Sequence, residues 1–292
     1  MPLEMPPDPK TDDPETLVST GWLASRLDDP LLRILDASWY LPDSGRNARA
    51  EHAAAHIPGA RFFDIDEISD TRSSLPHMAP PPEKFASRMR ALGVGDGHQV
   101  VVYDGAGLFS AARVWWLFRL MGKPQVAVLD GGLPKWRVEG RPIGNRAAPI
   151  RERHMTPAPQ PALVRDVTEV AAAAKLDTHE ILDARSAARF RGEAPEPRPG
   201  LRSGHIPGSK SVPYTLLLNP DGTMKSPAAL REVFADAGVD LTKPAITTCG
   251  SGVTAAVISL ALERVGHRDH ALYDGSWAEW GMYGGLSVAT GD

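Results

Sequence analysis

The sequence predicts an α/β protein made of two copies of one unit, each a mostly parallel β-sheet with helices on both faces. Three observations carry this. Short apolar, β-branched runs alternate with stretches of helical periodicity, as where Val100-Val101-Val102-Tyr103-Asp104 precedes a helix over 111–121. The strand runs are largely apolar or β-branched, which suits buried strands. Finally, four anchors recur in one order at a nearly constant offset of roughly 145 residues, the mark of an internal duplication.

In chain order, residues 1–15 are rich in Pro and Asp and read as a disordered tail. Ser19 or Thr20 caps a short amphipathic helix through Leu27, and Leu31-Leu32-Arg33-Ile34-Leu35-Asp36-Ala37 is a buried strand ending in an acid. The duplication then shows itself. Ile34-Leu35-Asp36-Ala37 is answered by Ile181-Leu182-Asp183-Ala184, and His56-Ile57-Pro58-Gly59 by His205-Ile206-Pro207-Gly208. Val101-Val102-Tyr103-Asp104 is answered by Ile246-Thr247-Thr248-Cys249. Leu129-Asp130-Gly131-Gly132 with Trp136 is answered by Leu272-Tyr273-Asp274-Gly275 with Trp277 and Trp280. The halves are an N-terminal domain over 16–146 and a C-terminal domain over 162–292, joined by a basic, proline-rich linker over 147–161. At 292 residues each half is long enough to bury its own core.

Composition narrows the function. Charged residues at 23% and hydrophobic ones at 42% are ordinary for a soluble globular chain. A net charge of −4 gives no reason to expect nucleic acid or an anionic membrane as partner, and no apolar run approaches a membrane span. The start, Met1-Pro2-Leu3-Glu4-Met5-Pro6-Pro7-Asp8, lacks a basic n-region and an apolar h-region, so the expected compartment is the cytoplasm. One cysteine in 292 residues forms no internal disulfide. Cys, His and carboxylates show no metal-ligand spacing, and no metal or organic cofactor is expected. A pseudo-dimer within one chain makes a monomer the simplest state.

That single cysteine is the focus. Ala245-Ile246-Thr247-Thr248 climbs to Cys249, Gly250-Ser251-Gly252 turns, and Val257, Leu260, Ala261 and Val265 continue as a helix. A lone cysteine is commonly a buried small hydrophobe. At a strand-to-helix turn, however, backbone N–H groups and the positive end of a helix dipole converge, and both favour a thiolate. Open α/β sheets place their ligands at this carboxyl end of the strands. The matching position of the first half is Asp104, so only the second half carries a sulfur nucleophile.

These residues resemble the tandem rhodanese-homology sulfurtransferases over residues 17–282, and the loop Cys249-Gly250-Ser251-Gly252-Val253-Thr254 is similar to that of the 3-mercaptopyruvate sulfurtransferases. Leu35-Asp36-Ala37-Ser38-Trp39-Tyr40-Leu41-Pro42, both His-Ile-Pro-Gly motifs, Arg113-Val114-Trp115-Trp116 and Tyr273-Asp274-Gly275-Ser276-Trp277 support the match. Two tandem rhodanese-like domains are therefore expected. Thiosulfate-specific members carry Arg and Lys after the cysteine, whereas Gly250 and Ser251 are uncharged and hold a dianion poorly. Phosphatases of the same fold need a longer loop ending in an arginine, and Ala255 stands six residues after Cys249.

The resemblance implies further roles. Within Asp183-Ala184-Arg185-Ser186-Ala187-Ala188-Arg189-Phe190-Arg191-Gly192-Glu193-Ala194-Pro195-Glu196-Pro197-Arg198, Arg189 and Arg198 are the pair that binds the carboxylate of 3-mercaptopyruvate. Arg185, Arg191 and Arg202 read as solvated. Ser251, His77 and Asp66 match a Ser-His-Asp set that would cross the domain interface and handle a proton. The amides of Gly250, Ser251, Gly252, Val253 and Thr254 would hold a charged sulfur species. His56 and His205 read as structural, and Arg113 as an interdomain or helix-dipole contact before a substrate contact. Phe109 replaces a tyrosine common in the family, removing a possible hydrogen bond worth on the order of 1 kcal/mol.

The implied reaction is attack of the Cys249 thiolate on the donor sulfur, release of pyruvate, and discharge of a Cys249 persulfide to a second thiol or cyanide. Acceptors in the family include thioredoxin and small thiols. The competing readings are a thiosulfate:cyanide sulfurtransferase, which the uncharged loop disfavours, and a non-catalytic sulfur carrier or binding module, which would not need two carboxylate clamps. A redox thiol protein is disfavoured because no resolving cysteine exists.

Overall fold

The computed structural model describes residues 12–282 and 284–291, grouped into two compact units. The first comprises residues through Asp64 with Pro82–Ala158 and Pro220–Thr223; the second comprises Ile65–Pro81, Pro159–Asn219 and the residues from Met224 on. The sequence draws its boundaries at 146 and 162. By spatial contact, Ile65–Pro81 groups with the second unit, and Pro220–Thr223 and most of the 147–161 stretch group with the first.

In the first unit, β1 (Leu17–Val18), β2 (Leu32–Asp36), β3 (Ala60–Phe62), β4 (Gln99–Tyr103) and β5 (Val126–Leu129) form one sheet in the order β1-β5-β4-β2-β3. Every pair is parallel, with Leu35 opposite both Arg61 and Val102. Parallel neighbours need crossover connections. The helices along this stretch of chain are α1 (Thr20–Ala24), α2 (Ala48–Ala54), α3 (Ile65–Ile68), α4 (Pro82–Ala91), α5 (Ala111–Leu120) and α6 (Gly132–Val138), of which α3 belongs to the second unit.

The second unit repeats the plan. Strands β6 (Val164–Arg165), β7 (Glu180–Asp183), β8 (Lys210–Ser211), β9 (Ala245–Thr248) and β10 (His270–Tyr273) are ordered β6-β10-β9-β7-β8, again parallel throughout. Its other helices are α7 (Val167–Leu176), α8 (Ala187–Phe190), α9 (Pro227–Asp236), α10 (Ala255–Arg264) and α11 (Ser276–Trp280). Every residue of β5, β7, β9 and β10 is buried, the pattern of strands covered on both faces. Among the described residues no helix is long and apolar enough to cross a membrane.

The His-Ile-Pro-Gly motifs have one role in both units. Ile57 and Ile206 are fully buried in the two cores. His56 pairs its backbone with Gly144 and donates from Nδ1 to His52 O (2.6 Å); His205 pairs with Ala289 and donates from Nδ1 to Phe190 O (2.8 Å). Of the predicted tail, residues 1–11 lie outside the described residues. Residues 12–15 are fixed by hydrogen bonds, with Pro14 O accepting from Gln99 Nε2 (2.7 Å) and Glu15 O from Trp115 Nε1 (2.9 Å).

The loop that follows β4 shows what such a turn demands. Asp104 Oδ2 accepts the N–H groups of Phe109, Ser110 and Ala111 at 2.8, 2.9 and 2.9 Å, and Oδ1 accepts that of Ala106 at 2.8 Å. One fully buried carboxylate thus satisfies four amides, three of them at the start of α5, where the helix dipole adds to the attraction. Gly107 (φ 115°) gives the loop its left-handed residue. Asp104→Ala orphans those amides and is expected to destabilise the first unit by about 3 kcal/mol or more. Asp104→Asn, which keeps one acceptor oxygen, should fall in between, as read by urea unfolding monitored through tryptophan fluorescence.

Candidate active site

Strand β9 lies inside the second sheet, flanked by β10 and β7, and delivers Cys249 at its carboxyl end. The residue is 2% exposed. Residues 250–254 turn the chain into α10, with Gly252 at φ 77°, a conformation that favours glycine. The turn is bolted to α11. Cys249 N–H donates to Ser276 Oγ (3.3 Å), Trp277 N–H to Cys249 O (2.9 Å) and Ala278 N–H to Gly250 O (2.9 Å). Ser276 itself has φ 50°, a strained value for serine, and its Oγ donates to Tyr273 O (2.8 Å). The sequence offers Ser276 only as part of a family motif; its contact with the cysteine backbone shows its work.

His77 lies between the other two members of the expected Ser-His-Asp set. Its Nδ1 is 2.9 Å from Ser251 Oγ and its Nε2 is 3.1 Å from Asp66 Oδ1. A carboxylate can only accept, so Nε2 carries the proton and Nδ1 accepts from the serine hydroxyl. His77 and Ser251 are buried, while the Asp66 side chain is 64% exposed. All three lie within the second compact unit because Ile65–Pro81 packs there, although Asp66 and His77 belong to the first copy in the sequence. Asp274 holds that segment in place, its Oδ2 accepting Ala79 N–H at 2.7 Å. His77 has φ 61°, a second strained residue beside the loop.

The arginines form a graded series. Arg185, expected to be solvated, is fully buried. It pairs with Asp183 Oδ2 (2.6 Å) and Glu196 Oε1 (2.8 Å), donates to Gly204 O (2.8 Å) and lies 4.3 Å over the Trp277 ring. Burial acts to lower its pKa, but the Asp183 and Glu196 carboxylates outweigh it and hold the guanidinium above its ordinary value. Glu196, also buried, passes the charge on to Arg189 through a fork from Nε and Nη2. Arg189 keeps 22% of its side chain exposed. Arg198 donates from Nη2 to Ser251 Oγ at 3.5 Å. Burial lowers its pKa from the ordinary value and neighbouring Arg189 adds to this, while Cys249, Glu196 and Asp66 pull the other way.

Gly250 leaves room for this pair. A Cβ there would sit 3.0 Å from Arg189 Nη2 and 4.0 Å from Arg198 Nη1. Both guanidiniums therefore converge on the residue next to the cysteine. Arg202 also departs from expectation: it donates to the carbonyls of Gly281, Leu286 and Trp280 at 3.1, 2.7 and 2.9 Å, tying α11 to the chain beyond it. Arg191 pairs with Glu193 at the surface. Arg113 is buried on α5 with its guanidinium 4.5 Å over Trp116, and Phe109 stacks on Trp39. Glu196 and Asp274 escaped sequence reasoning, although Glu196 stands between the two arginines in the quoted motif. Among the described residues no group of three or more His, Cys, Asp or Glu is placed to hold a metal.

Comparison with known proteins agrees with this architecture. The rhodanese-like domain family matches the chain twice, over residues 19–139 and 166–283. The 3-mercaptopyruvate sulfurtransferase of Escherichia coli K12 is 46% identical over 272 residues, covering 93% of this chain and 96% of that protein. The mitochondrial thiosulfate/3-mercaptopyruvate sulfurtransferase 1 of Arabidopsis thaliana is 44% identical over 297 residues, covering 94% of this chain and 78% of that protein. The crystal structure of SseA from Escherichia coli, described as a 3-mercaptopyruvate sulfotransferase of rhodanese fold, superimposes with a TM-score of 0.83 at 44% identity, over 90% of this chain and 99% of that one. Two parallel five-stranded units, a cysteine on the loop after the second unit's buried strand, and these likenesses together show that the chain belongs to the rhodanese family as a tandem sulfurtransferase.

Proposed function

We propose that this chain takes sulfur from 3-mercaptopyruvate onto Cys249 and passes it to a thiol or to cyanide. The observation that carries the reading is the convergence of Arg189 and Arg198 on Gly250, beside an otherwise uncharged loop. Two planar guanidiniums suit a carboxylate and the neighbouring keto oxygen of an α-keto acid. A small dianion that needs charge on the loop itself finds only Gly250, Ser251, Gly252, Val253 and Thr254.

In the first step the Cys249 thiolate attacks the donor sulfur. A sulfur–sulfur bond forms, the carbon–sulfur bond breaks, and its electron pair leaves as the enolate of pyruvate. The enolate is protonated on carbon. Ser251, with its hydroxyl on His77 and His77 on Asp66, is positioned to manage the thiol and enolate protons. The loop amides and the start of α10 stabilise the negative persulfide, as the matching amides of the first unit stabilise Asp104. In the second step an acceptor such as a small thiol or thioredoxin attacks the outer sulfur and returns Cys249 to its thiolate, giving ping-pong kinetics.

Steady-state transfer from 3-mercaptopyruvate and from thiosulfate, measured side by side, tests the reading. The first donor should win by orders of magnitude, and Cys249→Ser should abolish turnover; preference for thiosulfate would overturn the assignment. Arg189→Gly and Arg198→Gly should each raise KM for 3-mercaptopyruvate about 10- to 100-fold, the loss expected for one charged hydrogen-bonding partner. Gly250→Ala should give a smaller rise in KM with kcat nearly kept, because the methyl group crowds Arg189 and leaves the sulfur alone. His77→Ala should instead act on kcat, lowering it by about 100-fold.

A further inference from the structure

The first unit, which does not carry Cys249, contains a cavity of about 330 Å³ lined by Arg33, Arg61, Pro149, Arg151 and Arg153. Arg33 on β2 and Arg61 on β3 share a sheet face, since Leu35 lies opposite Arg61 and side chains two apart point the same way. The chain at 149–153 forms the remaining wall, with Pro149 O accepting from Arg61 Nη2 at 3.3 Å. Four guanidiniums meet here, and among the described residues none of them forms an ion pair with a carboxylate. Arg33 donates only to the carbonyls of Gly93, Pro30 and Leu32, and Arg153 only to Glu152 O. Arg61 Nε is buried with no acceptor. Of the carboxylates nearby, Asp96 caps Thr156, Glu152 pairs with Arg90, and Asp29 accepts Leu31 N–H while acting on Arg33 from beyond ion-pair distance.

The cluster strains its own members. Burial and the charge of Arg153 lower the pKa of Arg33 against the pull of Asp29, and burial and Arg33 lower that of Arg61. Burial, with Arg33, Lys123, Arg153 and Arg61, pushes His98 down to about 4. Like charges gathered at partly buried positions with no carboxylate in ion-pair contact are unfavourable unless an anion joins them. The candidate active site differs: there Glu196 sits between Arg185 and Arg189.

We propose that this cavity is a binding site for a small, multiply charged oxyanion, a phosphorylated or sulfur-oxyanion metabolite, separate from the sulfur-transfer site. Four cations favour a ligand with two or more negative charges over a monocarboxylate, and guanidinium forks match tetrahedral oxyanions. The volume admits a pyrophosphate-sized group or somewhat larger.

Isothermal titration of the full chain with inorganic pyrophosphate at low ionic strength tests this, with phosphate, sulfate, thiosulfate and acetate as further probes. One equivalent of pyrophosphate should bind and acetate should not. Arg61→Met and the surface variant Arg153→Ala should each weaken binding roughly tenfold or more, the loss of one charge-assisted contact. Arg198→Ala should leave it unchanged, and Arg153→Ala should keep wild-type sulfur transfer. Pyrophosphate should also raise the melting temperature of the wild-type chain and not of Arg61→Met. Tighter binding of the phosphates assigns a phosphorylated ligand, and tighter binding of sulfate or thiosulfate a sulfur oxyanion. No binding, equal affinity for acetate, unchanged affinity in both cavity variants, or loss with Arg198→Ala overturns the proposal.

Discussion

A parallel strand that turns directly into a helix leaves several backbone N–H groups without carbonyl partners, and they gather at one point. Both units of this protein are built around that constraint. The first resolves it internally: the Asp104 carboxylate accepts four amides and closes the loop. The second places a cysteine at the same point of the chain, where a sulfur that gains and loses charge meets the same demand. The duplication thus yields one loop filled by its own anion and one left for chemistry.

The cysteine loop itself carries no charged side chain. Beside it runs a buried relay of charge, Asp183 to Arg185 to Glu196 to Arg189, which begins at the end of a central strand and ends at a partly exposed guanidinium close to Gly250. Arg185 touches nothing outside the fold. Its charge is balanced on both sides, and in holding Glu196 it fixes the carboxylate that orients Arg189. Glycine at 250 completes the arrangement by leaving space for both arginines.

The side of the loop that carries Ser251, His77 and Asp66 is held by strained backbone. His77 and Ser276 both adopt left-handed conformations, and each is fixed by neighbours: His77 by Ser251 and Asp66, Ser276 by Tyr273 O and Cys249 N–H. Such strain persists only where surrounding contacts over-determine it. Here those contacts bring Ile65–Pro81 of the first repeat into the second unit, where Asp274 receives Ala79 N–H.

Much of this was legible in the sequence because it is local. Apolar runs specify strands buried on both faces, and repeated anchors reveal two units. A cysteine that follows such a run and precedes a Gly-Ser-Gly turn marks the candidate loop. What the sequence could not decide is which side chains meet across long separations. Arg185, Arg189, Arg198 and Arg202 look alike in a polar stretch, yet one is sealed in a buried ion pair, two converge on the cysteine loop and one ties down the carbonyls around α11. Arg33, Arg61, Arg151 and Arg153 are scattered along the chain and become a cluster only when β2, β3 and the 149–153 stretch come together. Charge acts through space and falls off with distance and burial, so its consequences are set by the tertiary structure, while hydrophobic periodicity acts along the chain and can be read from it directly.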